Sequence, residues 1–210
     1  MIIRTTAALT LVAAALAFVA PRAGAADDPK AVVTRVTNEA LEVLRDDSLS
    51  ADAKRQKLEQ IVLRDTDFET LSRLVLAQNW RKFSEAQQAE FIEQFRRHLS
   101  MTYGRNIENY HNETVAVQSE RQEPRGDVTV LTKIVRGGGA SDIEVDYRLR
   151  KNAEGQWKVI DFVIEGVSLV ANFRAQFTNM LSSSSPATLI KTLADKNARN
   201  EPLKAPGTGT

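Results

Sequence analysis

Between Asp142 and Arg150 the chain alternates without a fault. Ile143, Val145, Tyr147 and Leu149 are apolar, and Asp142, Glu144, Asp146, Arg148 and Arg150 are charged. Period-two alternation marks a strand with one buried and one wet face, an arrangement that antiparallel sheets permit. Its neighbours extend the sheet. Val128, Val130 and Ile134 alternate ahead of Gly137-Gly138-Gly139, which reads as a hairpin loop. Trp157 to Ile164 is apolar on both faces and follows a second turn at Asn152-Ala153-Glu154-Gly155. Val115 and Val117 suggest a shorter strand.

On either side the period changes to that of a helix. Val33, Val36, Ala40, Val43 and Leu44 share one helical stripe, and Leu58, Ile61 and Val62 a second that Ser50 can cap. Phe68, Leu71, Leu74 and Val75 follow, begun by Asp65 or Asp67. Ser84-Glu85-Ala86-Gln87 is a capping box opening a long helix with Phe91, Phe95, Leu99, Tyr103, Ile107 and Tyr110, bending at Gly104. After the strands, Ser168 can cap a helix bearing Leu169, Val170, Phe173, Phe177 and Met180. Ser185-Pro186 starts a last one with Leu189, Ile190 and Leu193. Helices, then about four strands, then helices predict an α+β fold, with helices over one sheet face.

The two ends read differently. Met1-Ile2-Ile3-Arg4, the uncharged run Ala7 to Ala20 and the small-residue site Ala23-Gly24-Ala25 have the form of a cleavable signal peptide over 1–25. The apolar run is shorter than the ~20 residues a spanning helix needs. Removing it takes away Arg4 and Arg22 and leaves a domain, 26–196, of nearly neutral charge, expected to be exported to a bacterial periplasm. Residues 197–210, with two prolines, two glycines and little apolar content, predict a disordered tail. The formal net charge of +1 lacks the basic excess of a nucleic-acid binder. With no cysteine, thiol catalysis, Cys-ligated zinc and disulfides are excluded.

Signals for catalysis are sparse. His98 and His111 are the only histidines and read as helix-surface or helix-end residues. No nucleophile elbow, His-x-x-x-His pair or acidic calcium loop occurs, and no Lys-Ser/Thr follows the glycine run to make a phosphate loop. Asp161 and Glu165 interrupt the apolar run from Val159 to Val170. One of them in an apolar hollow would have a raised pKa and serve as a general base beside Tyr103 or Tyr147; the plainer reading is a strand-end carboxylate paired with Arg148 or Lys158. Phe91, Phe95, Tyr103, Tyr147, Phe162, Phe173 and Phe177 fall on faces that look inward. Periodicity does not distinguish a filled core from a hollow one.

Two segments carry a family resemblance. The first runs from Asp67-Phe68 to Tyr110, with Arg73, Val75-Leu76, Trp80-Arg81, Ser84, Gln87, Phe91, Phe95, Leu99 and Tyr103-Gly104. The second runs from Val145-Asp146-Tyr147-Arg148 to Phe177, with Trp157-Lys158-Val159, Asp161, Glu165-Gly166-Val167-Ser168 and Asn172-Phe173-Arg174. Over roughly Asp28 to Lys196 the chain resembles the MlaC family of periplasmic phospholipid-transfer proteins, also called toluene-tolerance proteins. Ala77 departs from the pattern, which often has Gly after Val-Leu. The resemblance implies a twisted antiparallel sheet wrapped by helices, similar to the NTF2-like cone, around a deep apolar cavity for phospholipid tails. It implies a monomeric carrier with no cofactor and no catalysis. Its partners would be an inner-membrane ABC transporter with an MCE-domain subunit and an outer-membrane lipoprotein–porin complex. From facing and the implied fold, the expected lipid-lining residues are Leu74, Phe91, Phe95, Leu99, Tyr103, Ile134, Val145, Tyr147, Leu149, Val163, Val167, Val170, Phe173 and Phe177. Arg148, Arg150 and Lys158 are candidates to meet a phosphate, or else residues of a solvated sheet edge.

Overall fold

The computed structural model describes residues 28–104, 110 and 112–203. The expected signal peptide, Ile107, His111 and residues 204–210 of the expected tail lie outside them.

Each described α-helix begins at a side chain that accepts one of its free backbone N–H groups. Asp28 accepts from Ala31 at the start of α1 (Pro29–Arg45), where Pro29 occupies a first-turn position that needs no donor. Ser50 opens α2 (Ala51–Asp65) and Asp67 opens α3 (Phe68–Leu76). The capping box forms as its spacing requires: Ser84 N–H donates to Gln87 Oε1 (3.0 Å) and Gln87 N–H to Ser84 Oγ (3.3 Å), starting α4 (Glu85–Gly104). Tyr110, expected on the same helix, is non-helical; its hydroxyl accepts from Arg45 Nε and donates to the Glu113 carbonyl. Ser168 caps α5 (Leu169–Ser183) and Ser185 caps α6 (Pro186–Ala198).

The strands β1 (Thr114–Gln122), β2 (Val128–Val135), β3 (Ile143–Lys151), β4 (Trp157–Ile164) and β5 (Val167–Ser168) form one antiparallel sheet in chain order. The fifth strand has two residues. It folds back through Glu165 and Gly166, both at positive φ (49° and 77°), as a two-residue hairpin of the type that matches strand twist.

A bulge decides which residues face which way. Leu149 pairs with Val159 but Arg148 pairs with Asp161, so Ile160 is the extra residue of β4. Beyond it, Tyr147 stands opposite Phe162 and Val145 opposite Ile164. Directly opposed residues share a face. Phe162 and Ile164 therefore join the Val145/Tyr147 face, and Val163, opposite Asp146, falls on the other.

Two cores result. On the sheet, Val32 and Val33 of α1 pack against Val130, Leu149 and Val159. Between helices, Leu71, Val75 and Leu76 of α3, Phe91 and Phe95 of α4, Phe173 and Phe177 of α5 and Leu189 and Leu193 of α6 form a second cluster. Phe162 touches both.

At Ala77 the backbone has φ 50° and ψ −125°, a region that suits glycine. It ends α3 at a sharp turn into a 3-10 segment, Ala77–Lys82. Ala77→Gly is therefore expected to stabilise the fold by about 1 kcal/mol, the relieved strain exceeding the added chain entropy. Thermal denaturation should show a rise of roughly 2–4 °C; an unchanged or lower midpoint would refute strain at this position.

The ordered chain continues beyond the expected boundary at Lys196. Helix α6 reaches Ala198, and Asn197 Nδ2 donates to the Gln94 carbonyl of α4 (2.9 Å). His98 is fully buried, not on the helix surface. Its Nε2 accepts from Leu203 N–H (3.2 Å), which leaves the proton on Nδ1 for Asn197 Oδ1 (3.0 Å). Burial, the main cause, together with the charge of Lys196, lowers the His98 pKa from its ordinary 6.5 against the opposing Asn197 hydrogen bond. The unfolded chain then takes up this proton first, so stability should decline as pH falls through about 6.5 and level off below the folded pKa. Urea melts between pH 8 and pH 5 test this, with His98→Gln expected to flatten the dependence.

Candidate apolar binding pocket

Where α2 and α4 stand off from the end of β4, a pocket of about 300 Å³ remains. Its wall is Leu58, Val62 and Leu63 from α2, Leu99 and Tyr103 from α4, Phe68 of α3, Phe162 and Ile164 of β4, and Leu169 of α5. Its polar sector is confined to Arg55, Glu59, Arg96 and Ser100. The volume is at the lower end of the usual range for ligand sites, ~300–1,000 Å³. Val62, Leu63 and Tyr103 are exposed at the pocket, and Val167, 59% exposed, pairs with lining residue Ile164. An apolar hollow thus has an apolar lip.

Electrostatics are organised around Arg96. Its Nη1 meets Glu59 Oε1 at 3.0 Å, and its Nε and Nη2 meet the two oxygens of Glu93 at 3.0 and 2.8 Å. The hydrogen bond from Arg96, reinforced by Arg97, holds the Glu93 carboxyl down at about 2. Partial burial pushes the Tyr103 phenol up from its ordinary value.

Of the fourteen residues expected to line a cavity, Leu99 and Tyr103 line this pocket. Val145 and Tyr147 are on the same sheet face beside it, Tyr147 edge-on to Phe162 at 5.6 Å, and burial raises its hydroxyl to about 12. Ile134 is half-buried on β2, opposite Ile143. The phenylalanines go elsewhere. Phe91, Phe95, Phe173 and Phe177 pack on one another with centroids 5.0–5.6 Å apart, in the filled helical core, because α6 closes over that side with Leu189 and Leu193. Leu74 and Val170 pack in that core too, and Leu149 lies under α1. Val163 is turned away by the bulge, and Val167 is on the exposed end strand.

The candidate base residues are not in the pocket. Asp161 Oδ1 accepts from Val170 N–H (2.9 Å) and Oδ2 from the Ser168 hydroxyl (2.6 Å), so it ties β4 to the start of α5. Burial raises its pKa, against these bonds. Glu165 is an exposed turn residue whose Oε1 accepts from Glu144 N–H at 2.6 Å. The candidate phosphate residues are also engaged: Arg148 and Arg150 both clasp the fully buried Asp127, and Lys158 donates to the Arg64 carbonyl. Among the described residues no group of three or more His, Asp or Glu is placed to hold a metal ion, and no helix is long and apolar enough to cross a membrane.

The α2 wall escaped sequence reasoning, although a signal was there. Ile61, Val62 and Leu63 are consecutive and follow Leu58 in a charge-rich helix, so apolar character extends round more of it than one buried stripe requires. Ile61 is buried, and Val62 and Leu63 face the pocket.

The MlaC protein family profile matches residues 34–195. This chain belongs to the MlaC family. A toluene tolerance protein, ttg2D, of Pseudomonas putida is 27% identical over 162 residues, 75% of this chain and 74% of that protein. The intermembrane phospholipid transport system binding protein MlaC of Haemophilus influenzae is 28% identical over 120 residues. That match spans 55% of each chain, about half the length of the relative. A phospholipid-binding protein from Ralstonia solanacearum, solved in complex with a phospholipid, shares the fold with a TM-score of 0.72. It covers 81% of this chain and 97% of its own at 24% identity.

Proposed function

We propose that this MlaC-family chain is a periplasmic phospholipid carrier, delivered by a signal peptide and working without catalysis or a cofactor. It shuttles lipid as a monomer between an outer-membrane lipoprotein–porin complex and an inner-membrane ABC transporter with its MCE-domain subunit. The observation that carries this reading is the apolar pocket between the sheet face and α2/α4, in a fold shared with a protein solved with phospholipid. A tail of about 15 methylenes at ~0.8 kcal/mol each leaves roughly 12 kcal/mol of unfavourable hydration in water. A carrier must supply a hollow nearly as dry as the bilayer, yet hold lipid no tighter than release allows. A general-base enzyme is less well supported, since Asp161 and Glu165 are spent on backbone contacts outside the pocket.

Native mass spectrometry of protein purified from a Gram-negative periplasm tests the proposal. A diacyl phospholipid is expected to arrive with the folded protein. Protein that is always empty and takes up no lipid from vesicles would dispose of it.

A further inference from the structure

The pocket is too small for the cargo just proposed. At ~10–15 Å³ of such volume per water-sized group, 300 Å³ holds on the order of 20–30 groups, room for one tail of about 15 methylenes but not for the two tails and glycerol of a diacyl lipid. A wall must yield, and α2 is the wall held most lightly. Only Ile61 and Asp65 of its residues are buried. Its polar ties run mainly back to α1, through Arg64–Glu39, Asp65–Arg35 and the Lys54 bond to the Leu44 carbonyl. Toward α4, the Arg96–Glu59 bond is the only ion pair among the described residues.

That pair joins opposite sides of the pocket. Glu93, on Arg96's own helix, holds Nε and Nη2 and fixes the plane of the guanidinium. Glu59, from α2, holds Nη1. The Arg96 side chain is 22% exposed, so its free donors are within reach of a ligand. Arg55, one turn before Glu59 and also lining the pocket, adds positive charge but is paired with Asp52. An apolar hollow with a guanidinium at one side, oriented by Glu93 and with its Nη1 exchangeable, matches an amphiphile with an anionic oxyacid head.

We propose that Arg96 receives the phosphate of the incoming lipid, with Glu59 occupying its place until then. The phosphate replaces Glu59 on Nη1, like charge drives the two anions apart, and α2 is released to move outward and admit the chains. Glu93 remains, so the guanidinium keeps its orientation through the exchange. This rests on the reading of the pocket as a lipid site and adds what reads the head group and what unlocks the wall.

The test uses delipidated full-length mature protein and three probes: a short-chain phosphatidylglycerol, the diacylglycerol with the same tails, and inorganic phosphate. Arg96→Gln should cut the preference for phosphatidylglycerol over diacylglycerol about tenfold, the loss of one charged hydrogen-bond set, while diacylglycerol binds no more weakly because the tie to Glu59 is gone as well. Glu59→Gln removes the competitor and should bind phosphatidylglycerol severalfold more tightly. Arg96→Lys, which keeps the charge but not the fork, should fall between Arg96→Gln and the native protein. Thermal melts exclude unfolding. An unchanged preference in Arg96→Gln, or weaker phosphatidylglycerol binding by Glu59→Gln, overturns the proposal. Displacement of phosphatidylglycerol by millimolar phosphate alone overturns it in favour of a free-anion site. A native protein that binds neither lipid fails the lipid reading itself rather than the role of Arg96.

Discussion

Phe95→Ala will lower the thermal midpoint by roughly 6–20 °C and leave the lipid content of the surviving folded protein unchanged. The ring is fully buried and makes aromatic contacts with Phe91, Phe173 and Phe177 at 5.0–5.5 Å. Truncating such a side chain costs about 3–5 kcal/mol, because transfer energy is lost and the cavity collapses only in part. For a domain of this size each kcal/mol moves the midpoint ~2–4 °C. Out of a typical total of ~5–15 kcal/mol the loss is severe. The paired measurement is a melting curve and a lipid-to-protein ratio. A variant with the native midpoint but no lipid would show Phe95 to be a lining residue of a hollow.

Ile164→Glu should do the opposite, emptying the protein while sparing the fold. Ile164 is half-buried, lines the pocket and stands at the last pair of β4, so a carboxylate there keeps contact with water when the pocket is vacant. Hydrocarbon entering the pocket would strip that water from an unpaired charge, at a cost of several kcal/mol. Lipid occupancy should fall more than tenfold, with a change of only a few degrees in the midpoint. Ile164→Leu, which preserves volume and polarity, should load normally. Full occupancy in the glutamate variant would place the lipid somewhere else.

These two substitutions fall on opposite sides of a line that periodicity does not draw. Phe95 and Leu99 share one stripe of α4 and one buried cluster, yet Phe95 is walled in by α5 and α6 while Leu99 also faces a hollow. The stripe reports only which side of the helix is shielded from water. Whether that side is filled depends on how closely the neighbouring helices approach, and α6, which begins 91 residues further along the chain (186 against 95), settles it for Phe95. Local chemistry was more legible. The caps inferred at Ser50, Ser84, Ser168 and Ser185 form, and of the pair Asp65 and Asp67 it is Asp67 that caps α3, because capping involves atoms within three residues of one another.

The strands show the same division. Alternation in β3 gave its two faces correctly, since side chains of a regular strand must alternate. In β4 a single extra residue, Ile160, inverts the alternation midway and brings Phe162 and Ile164 to the pocket in place of Val163. Nothing in a run apolar on both faces announces that step.

Order along the chain, the capping of helices, the antiparallel sheet and the resemblance to the MlaC family were all readable from residues alone, since each depends on near neighbours or on a recurring pattern. The location of the hollow, the enclosure of His98 and the meeting of Arg96 with Glu59 required the assembled molecule. They arise from contacts between segments tens of residues apart, where packing distances rather than residue type decide what is core, what is wall and what is open.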